Sequence, residues 1–524
     1  MNQTLLSFAK KYGPLVGIIL LTLILYIVLI GPNVQKNRPM TSDIYRDIAY
    51  ATGVMNGRPI FEDPTIKGEY IWYPPLNPLI MALISRITGL SVFTIYAYSV
   101  FLANLAIPIL FYLLIAELLG KRMAFFSSLL MVIMPWVNTH FFSMVLTSVH
   151  GVAVMLAVLL YFSKLHKKGM PLLGSTILGL LTGLALLHHS LSGLILYGSL
   201  FIFISLDILV YKHFDKWKSF LAALVIPVIV WAPYWIPNLF RAKLNPSPLT
   251  HLAIELMDPE FALFIPNVIL FPLTVVFLIT GIIYAIRRFH RSQYRLLLII
   301  LALVTLGQLP GYIRFLGERG PLWARGLASF PVLIPHEFQW FFQLFALPMI
   351  VLGFWLIFQY VSKNRFNFLK YILLALFALP GIMAMPVQYS KFFMSYSPDV
   401  YYCPVYVKWI NENTPKDAVI MSSNVIMSYY DIQSYSGRPV LATMPFYMNY
   451  NVNVDQRFSD KNFIIQRASV NDIKSLVKRY DLVYFCIEKS DMSPERLKFF
   501  LDNFHEVFSD GHGVYILEFD RDSL

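Results

Sequence analysis

Long apolar runs separated by short polar or basic gaps dominate the first three quarters of the chain. They lie at about Leu15–Ile30, Phe93–Leu119, Met123–Val137, Val145–Phe162, Leu172–Leu187, Leu191–Val210, Phe220–Ile236, Phe261–Ile286, Leu296–Leu309, Phe341–Tyr360 and Phe368–Met385. A bilayer-spanning helix needs about 20 such residues, so the pattern predicts a polytopic α-helical membrane protein with about 11 transmembrane helices. Pro78–Ile87 is apolar but too short to cross, and reads as a helix lying in the outer interface. Lys10 and Lys11 precede the first run and no small-residue cleavage site follows it, which predicts an uncleaved span with the N-terminus inside. From about Tyr389 the period shortens. Val400–Glu412, Asp472–Arg479 and Pro494–Asn503 read as helices. Ala418–Met421, Pro439–Leu441, Leu482–Ile487 and Val514–Phe519 read as strands. The chain thus divides into a transmembrane domain at 1–388 and a small extracytoplasmic α/β domain at 389–524.

Composition agrees with burial in lipid: 57% of the 524 residues are hydrophobic and only 14% charged, more apolar surface than a soluble protein needs. The net charge of +12 would suit nucleic acid, but its distribution argues against that partner. Residues 1–385 hold 28 Lys and Arg against 13 Asp and Glu, and the remainder 14 against 17. The groups Lys164/Lys167/Lys168, Lys212/Lys216/Lys218, Arg287/Arg288/Arg291/Arg295 and Lys363/Arg365/Lys370 all fall inside under the predicted topology, as the positive-inside rule requires. These features predict a multi-pass protein of the cell membrane, N-terminus cytoplasmic and C-terminal domain outside. The inner loops are short and basic, so the chemistry belongs to the outer face. Two cysteines occur, Cys403 and Cys486, readable as a disulfide or as two separately buried thiols. There is no Cys/His cluster for zinc, no P-loop and no Gly-x-Gly-x-x-Gly.

The most patterned polar stretch is the first outer loop, 32–92, and within it TSDIYRDIAYATGVMNGRPIFEDPTIKGEYIWYPPLNPL from Thr41 to Leu79. Asp43 and Asp47 are four apart, so a helix from Ser42 to Met55 carries both carboxylates on one face. Asn56-Gly57 ends that helix, since both residues accept the left-handed conformation of a C-cap. Glu62, Asp63 and Glu69 follow, then Tyr73-Pro74-Pro75-Leu76. On residue chemistry alone Asp43 is either a reactive carboxylate or a helix cap after Thr41-Ser42, and Asp47 either functional or an ion-paired face residue.

The order Ser-Asp, Tyr, Ala-rich helix, Asn-Gly, Pro59, Asp63 and Tyr-Pro-Pro-Leu resembles the first outer loop of GT-C superfamily glycosyltransferases. Its nearest likeness is to the polyprenyl-phosphate-sugar-dependent branch of protein O-mannosyltransferases and aminoarabinose transferases. Trp409-Ile410-Asn411-Glu412-Asn413-Thr414-Pro415 with Ser436-Gly437-Arg438-Pro439 is similar to the extracytoplasmic tail of many members. No Trp-Trp-Asp-Tyr-Gly occurs, which separates the tail from oligosaccharyltransferases. The resemblance implies an inverting transfer from a polyprenyl-phosphate sugar lipid to an acceptor hydroxyl on a glycan, lipid or protein. It implies Asp43 as base; Ile44 stands where several members have a second acid, leaving Asp47 to supply it. Donor-phosphate binding would fall to His189, with His188, Arg241 and Arg314 as further candidates, alongside Lys243, Arg319 and Arg325. Each of the Arg and Lys residues also reads as a loop or headgroup-facing charge, and the histidine pair, at the outer turn between the fifth and sixth spans, as a turn facing water. Tyr73, Glu69 and Glu337, the last in Pro335-His336-Glu337-Phe338, are candidates for sugar or acceptor contact; Tyr70, Trp72 and Tyr73 read equally as interfacial belt anchors. A divalent cation held by Asp43, Asp63 and Glu69 is compatible with the sequence and not required by it. Competing readings are a flippase of lipid-linked sugars and a non-catalytic assembly subunit; the spans lack the internal symmetry and paired broken helices of the first.

Overall fold

A computed structural model describes residues 12–24, 43–133, 147–241, 270–319, 335–363, 403–443, 449 and 451–519, with six further positions between 368 and 375. The membrane part begins with α1 (Tyr12–Ile24), α2 (Asp43–Met55), α3 (Leu76–Thr88) and α4 (Val92–Leu119). It continues through α5 (Lys121–Ile133), α6 (Thr147–Lys167), α7 (Leu172–His188), α8 (Ser190–Leu209) and α9 (Trp217–Arg241). Helices α10 (Leu270–Arg287), α11 (Ser292–Arg319) and α12 (Pro335–Lys363) complete it. Among the described residues six helices are long and apolar enough to cross a membrane, and four shorter apolar helices accompany them. Of the run predicted at Phe368–Met385, only the six described positions between 368 and 375 lie inside the described residues.

One large apolar core joins α4 to α12. Its tightest seam is between α10 and α12: a Cβ added at Gly353 would lie 1.8 Å from the Phe277 carbonyl oxygen, and one at Gly281 2.0 Å from that of Met349. Small residues at such a crossing let two backbones touch where lipid gives no hydrophobic drive for association.

Three boundaries differ from the sequence reading. Helix α9 continues through Pro233 and Pro237 to Arg241, because at membrane depth a freed backbone group finds other partners and proline does not end the helix. Arg241 therefore ends a helix instead of standing in a loop. Helix α11 likewise runs past Leu309 to Arg319, so Arg314 is helical. Helix α12 starts at Pro335, which places Glu337 in its first turn, where proline is tolerated.

The C-terminal domain opens with α13 (Val405–Asn413) and β1 (Val419–Ser422), then a π-helix at Met427–Ser436. Next come α14 (Val454–Gln466), α15 (Val470–Tyr480), β2 (Leu482–Glu488), α16 (Pro494–Asn503), β3 (His505–Ser509) and β4 (Val514–Glu518). The strands form a sheet in the order β1-β2-β4-β3, parallel at β1/β2 and antiparallel elsewhere. The predicted strand at Pro439–Leu441 is only a bridge from Val440 to Ile420. The strand that sequence reading missed, β3, is a half-exposed edge without alternation. Cys486 is buried on β2, whereas Cys403 is exposed and both thiols are free, so neither cysteine reading from sequence holds for the pair.

Candidate active site

Helix α2 organises the site. Ile44, Tyr45, Ile48 and Ala51 recur at helical spacing and bury one face against Met81 and Ala82 of α3 and Val92, Ile95 and Tyr96 of α4. That leaves Arg46, Asp47 and Tyr50 to line a small cleft, with Asp63, Trp72 and Tyr73 on its other walls. The helix stops at Asn56 because Gly57 takes φ +95°, a conformation favoured by glycine.

Asp47 is 1% exposed and Arg46 8%, and they form an ion pair at 3.3 Å. The Arg46 guanidinium also lies 3.3 Å from the Tyr73 ring centroid and 5.8 Å from that of Trp72. The aromatic walls therefore hold a cation by its face, an attraction that strengthens when water is excluded. Asp43 is the first residue of α2, one turn before Asp47.

The loop after α2 folds on its own charges. Arg58 donates to the carbonyls of Pro64 (2.8 Å) and Asp63 (2.7 Å) and to Glu62 Oε1 (2.8 Å). Asp63 is fully buried and accepts from the amides of Thr65 (2.7 Å) and Ile66 (3.0 Å), from the Thr65 hydroxyl, and from Asn449 Nδ2 (3.0 Å) of the C-terminal domain. Burial pushes its pKa up to about 6, against the pull of the Thr65 hydrogen bonds. Burial and the nearby Asp63 charge likewise push the Tyr50 phenol upward. Asn449 also donates to the Tyr70 carbonyl (2.8 Å), while Asn451 bridges that carbonyl and Asn238 Oδ1 of α9 (3.3 and 3.1 Å). Asn238 and Tyr234 return bonds to the Ile71 and Trp72 carbonyls at 2.9 and 2.6 Å. First loop, α9 and C-terminal domain are thus knotted around the cleft.

Sequence reasoning named Asp47 and Tyr73, and both line the cleft. His189 sits at the α7/α8 turn, 4% exposed, and is not among the residues that line the cleft. Its Nδ1 accepts from the Ser192 amide at 3.3 Å and caps α8, which assigns the ring proton to Nε2. His188 is 6% exposed, its ring 6.4 Å from His150. Its Nδ1 and the hydroxyl of Tyr96 are buried without a hydrogen-bond partner among the described residues. The histidine pair is therefore buried, where the sequence had allowed a turn facing water.

Others stand apart. Glu69 gives the site its carbonyl, which accepts from the Asp63 amide at 2.8 Å, and its side chain is not among the cleft walls. Arg241 lies 5.3 Å from the Tyr70 ring centroid. Lys243 and Arg325 fall outside the described residues; the side chains of Asp43, Arg314, Arg319 and Glu337 do too, although their backbones are helical. Among the described residues no three His, Cys, Asp or Glu converge on a metal position. Asp63, weighed as a ligand from sequence, spends both carboxylate oxygens on N–H and O–H donors, so hydrogen bonds stand where a metal ion would. Sequence reasoning missed Arg46, Tyr50, Asn238, Asn449 and Asn451. Arg46 had a signal, sitting between two acids and ahead of an aromatic corner; the asparagines had none.

Among the described residues six helices are long and apolar enough to cross a membrane, and the chain shares its fold with GT-C glycosyltransferases of known structure. The model of the dolichyl-phosphate-mannose-protein mannosyltransferase family matches residues 73–236. The fold is similar to the Archaeoglobus fulgidus oligosaccharyltransferase tethered to an acceptor peptide, at 14% identity and TM-score 0.59, over 97% of this chain and 74% of that one. It is also similar to ArnT from Cupriavidus metallidurans bound to undecaprenyl phosphate, at 13% identity and TM-score 0.56, over 97% and 98% of the two chains. No curated protein matches the sequence.

Proposed function

We propose that the protein is an inverting glycosyltransferase, moving a sugar from a polyprenyl-phosphate donor to an acceptor hydroxyl on the outer face of the cell membrane. The observation that carries this reading is the cleft beneath α2, where a buried carboxylate and guanidinium meet two aromatic walls. Asp43 takes the acceptor proton as the oxygen attacks the anomeric carbon. The bond from that carbon to the phosphate oxygen breaks, and the lipid phosphate departs with the electron pair. One attack from the face opposite the leaving group inverts the centre. Arg46 and the Nε2–H of His189 supply positive charge and a donor toward the departing phosphate, with Asp47 holding Arg46 in place. Arg241 and Arg314 are further anchors for donor phosphate, and Tyr73 and Glu337 contact sugar or acceptor.

The test uses proteoliposomes, a panel of labelled polyprenyl-phosphate hexoses and pentoses, and a mixed acceptor extract. The reading expects sugar to appear on acceptor, polyprenyl phosphate to accumulate in equal amount, and the product anomer to be opposite to the donor. Retention of configuration removes the one-base mechanism. Passage of intact sugar-lipid between leaflets without cleavage makes the protein a flippase and overturns the reading.

A further inference from the structure

The C-terminal domain lies along the same helix that bears Asp43 and Asp47. The Arg46 amide of α2 donates to the Tyr429 hydroxyl at 3.2 Å. That hydroxyl comes from the π-helix, 383 residues away. The π-helix follows α2 from there to its end. Ser434 Oγ donates to the Tyr45 carbonyl at 3.1 Å, Thr52 Oγ1 to the Ser434 carbonyl at 3.1 Å, and Asn56 Nδ2 to the Ser436 carbonyl at 2.9 Å. Gly437 ends the π-helix at φ +65°, and a Cβ there would lie 2.9 Å from the Gly53 amide nitrogen and from Asn56 Nδ2. Tyr429 itself is fully buried with Ile44, Ile48 and Tyr96, and the Tyr45 ring lies 6.3 Å from it and 4.7 Å from that of Tyr430. Asp431, bonded by the Tyr406 hydroxyl, ties the π-helix back to α13.

We infer that Tyr429 is a positioning residue for the reaction, setting the N-terminal turn of α2 and with it the carboxylate there, so that the C-terminal domain is part of the catalytic frame. This rests on the reading that α2 carries the reacting groups. The domain touches the rim of the cleft through Asn449, and it also bonds along the helix that builds the cleft. Misplacing a reacting group by about 1 Å is enough to slow a reaction strongly.

The experiment is Tyr429→Phe, which keeps the ring and removes the hydroxyl. The inference expects kcat to fall about tenfold with donor and acceptor KM unchanged, thermal stability nearly that of wild type, and the pH midpoint of kcat displaced. In an Asp43→Asn background the same change should cost nothing further, because the two act through one group. Unchanged kcat, a rise confined to KM, or a loss that merely follows the unfolded fraction would each overturn it. Should Tyr429→Phe not fold, Ser434→Ala, which removes the bond to the Tyr45 carbonyl, carries the same expectations. If Asp43→Asn is itself fully active, the underlying functional reading fails; if Asp43→Asn is inactive and Tyr429→Phe is normal, only this inference fails.

Discussion

Among the described residues two acid–arginine pairs have both partners buried, and they are built for different ends. Asp207 and Arg295 are 2% and 3% exposed. Asp207, near the end of α8, is ion-paired with Arg295 of α11 and hydrogen-bonded to His166 Nε2 of α6 at 2.8 Å. One carboxylate thus fastens three helices, with the Arg295 guanidinium 4.4 and 4.2 Å from the Phe203 and Tyr211 ring centroids. Asp47 and Arg46 are adjacent in sequence on one helix and face a cleft. A bond between neighbours that the helix already holds together adds little to the fold, so burial of this pair calls for another explanation. Chemistry supplies one: a carboxylate and a cation kept out of water, beside aromatic walls, one turn from a further carboxylate.

The sharpest way to break this contrast is to neutralise each acid. Asp47→Asn is expected to lower turnover about 100-fold by leaving Arg46 loosely placed. Its folding cost should be smaller than that of Asp207→Asn, since Arg46 keeps the Tyr73 face. A melting temperature that collapses while activity per folded molecule stays normal would make the two pairs equivalent. Asp207→Asn is expected to destabilise the protein by about 3 kcal/mol, because it strands a buried guanidinium, with activity per folded molecule retained. Thermal melts beside single-turnover assays read both.

Asp63 sharpens the contrast through pH. Its folded pKa of about 6 lies above the ordinary 3.8, so the folded chain keeps a proton that the unfolded chain sheds first. Its stabilising contribution is complete below about pH 4 and is lost as pH rises through 6, at most about 3 kcal/mol. Asp63→Asn should flatten that part of the stability profile; a wild-type profile equally flat from pH 4 to 7 would contradict it. The smallest effect concerns sidedness. A membrane-impermeant maleimide added outside should label Cys403 and spare the buried Cys486, without loss of activity, while a Lys212→Cys variant stays unlabelled until the membrane is opened. Labelling in the reverse sense would invert the topology and with it the side assigned to each pair.

Much of this was legible in the chain because length and period speak locally. The helix drawn from Ser42 to Met55 is described from Asp43 to Met55, since an apolar stripe and an Asn-Gly stop need no distant partner. The short apolar helix drawn at Pro78–Ile87 is Leu76–Thr88, ended by Gly89 at φ +71°. The tail was harder. The π-helix at Met427–Ser436 mixes serine and tyrosine without an apolar period, and α14 is more polar than apolar. Asp63 looked like a metal ligand because its four donors, one of them Asn449, are visible only once the chain is folded.

The most direct test of the account is turnover of a labelled polyprenyl-phosphate sugar by Asp43→Asn, measured beside its melting temperature. Asparagine keeps the shape and a capping oxygen but cannot accept the proton. The account predicts a melting temperature close to wild type and turnover lowered by about 10²–10⁴. Wild-type turnover in that variant would make Asp43 a helix cap and move the reaction away from α2.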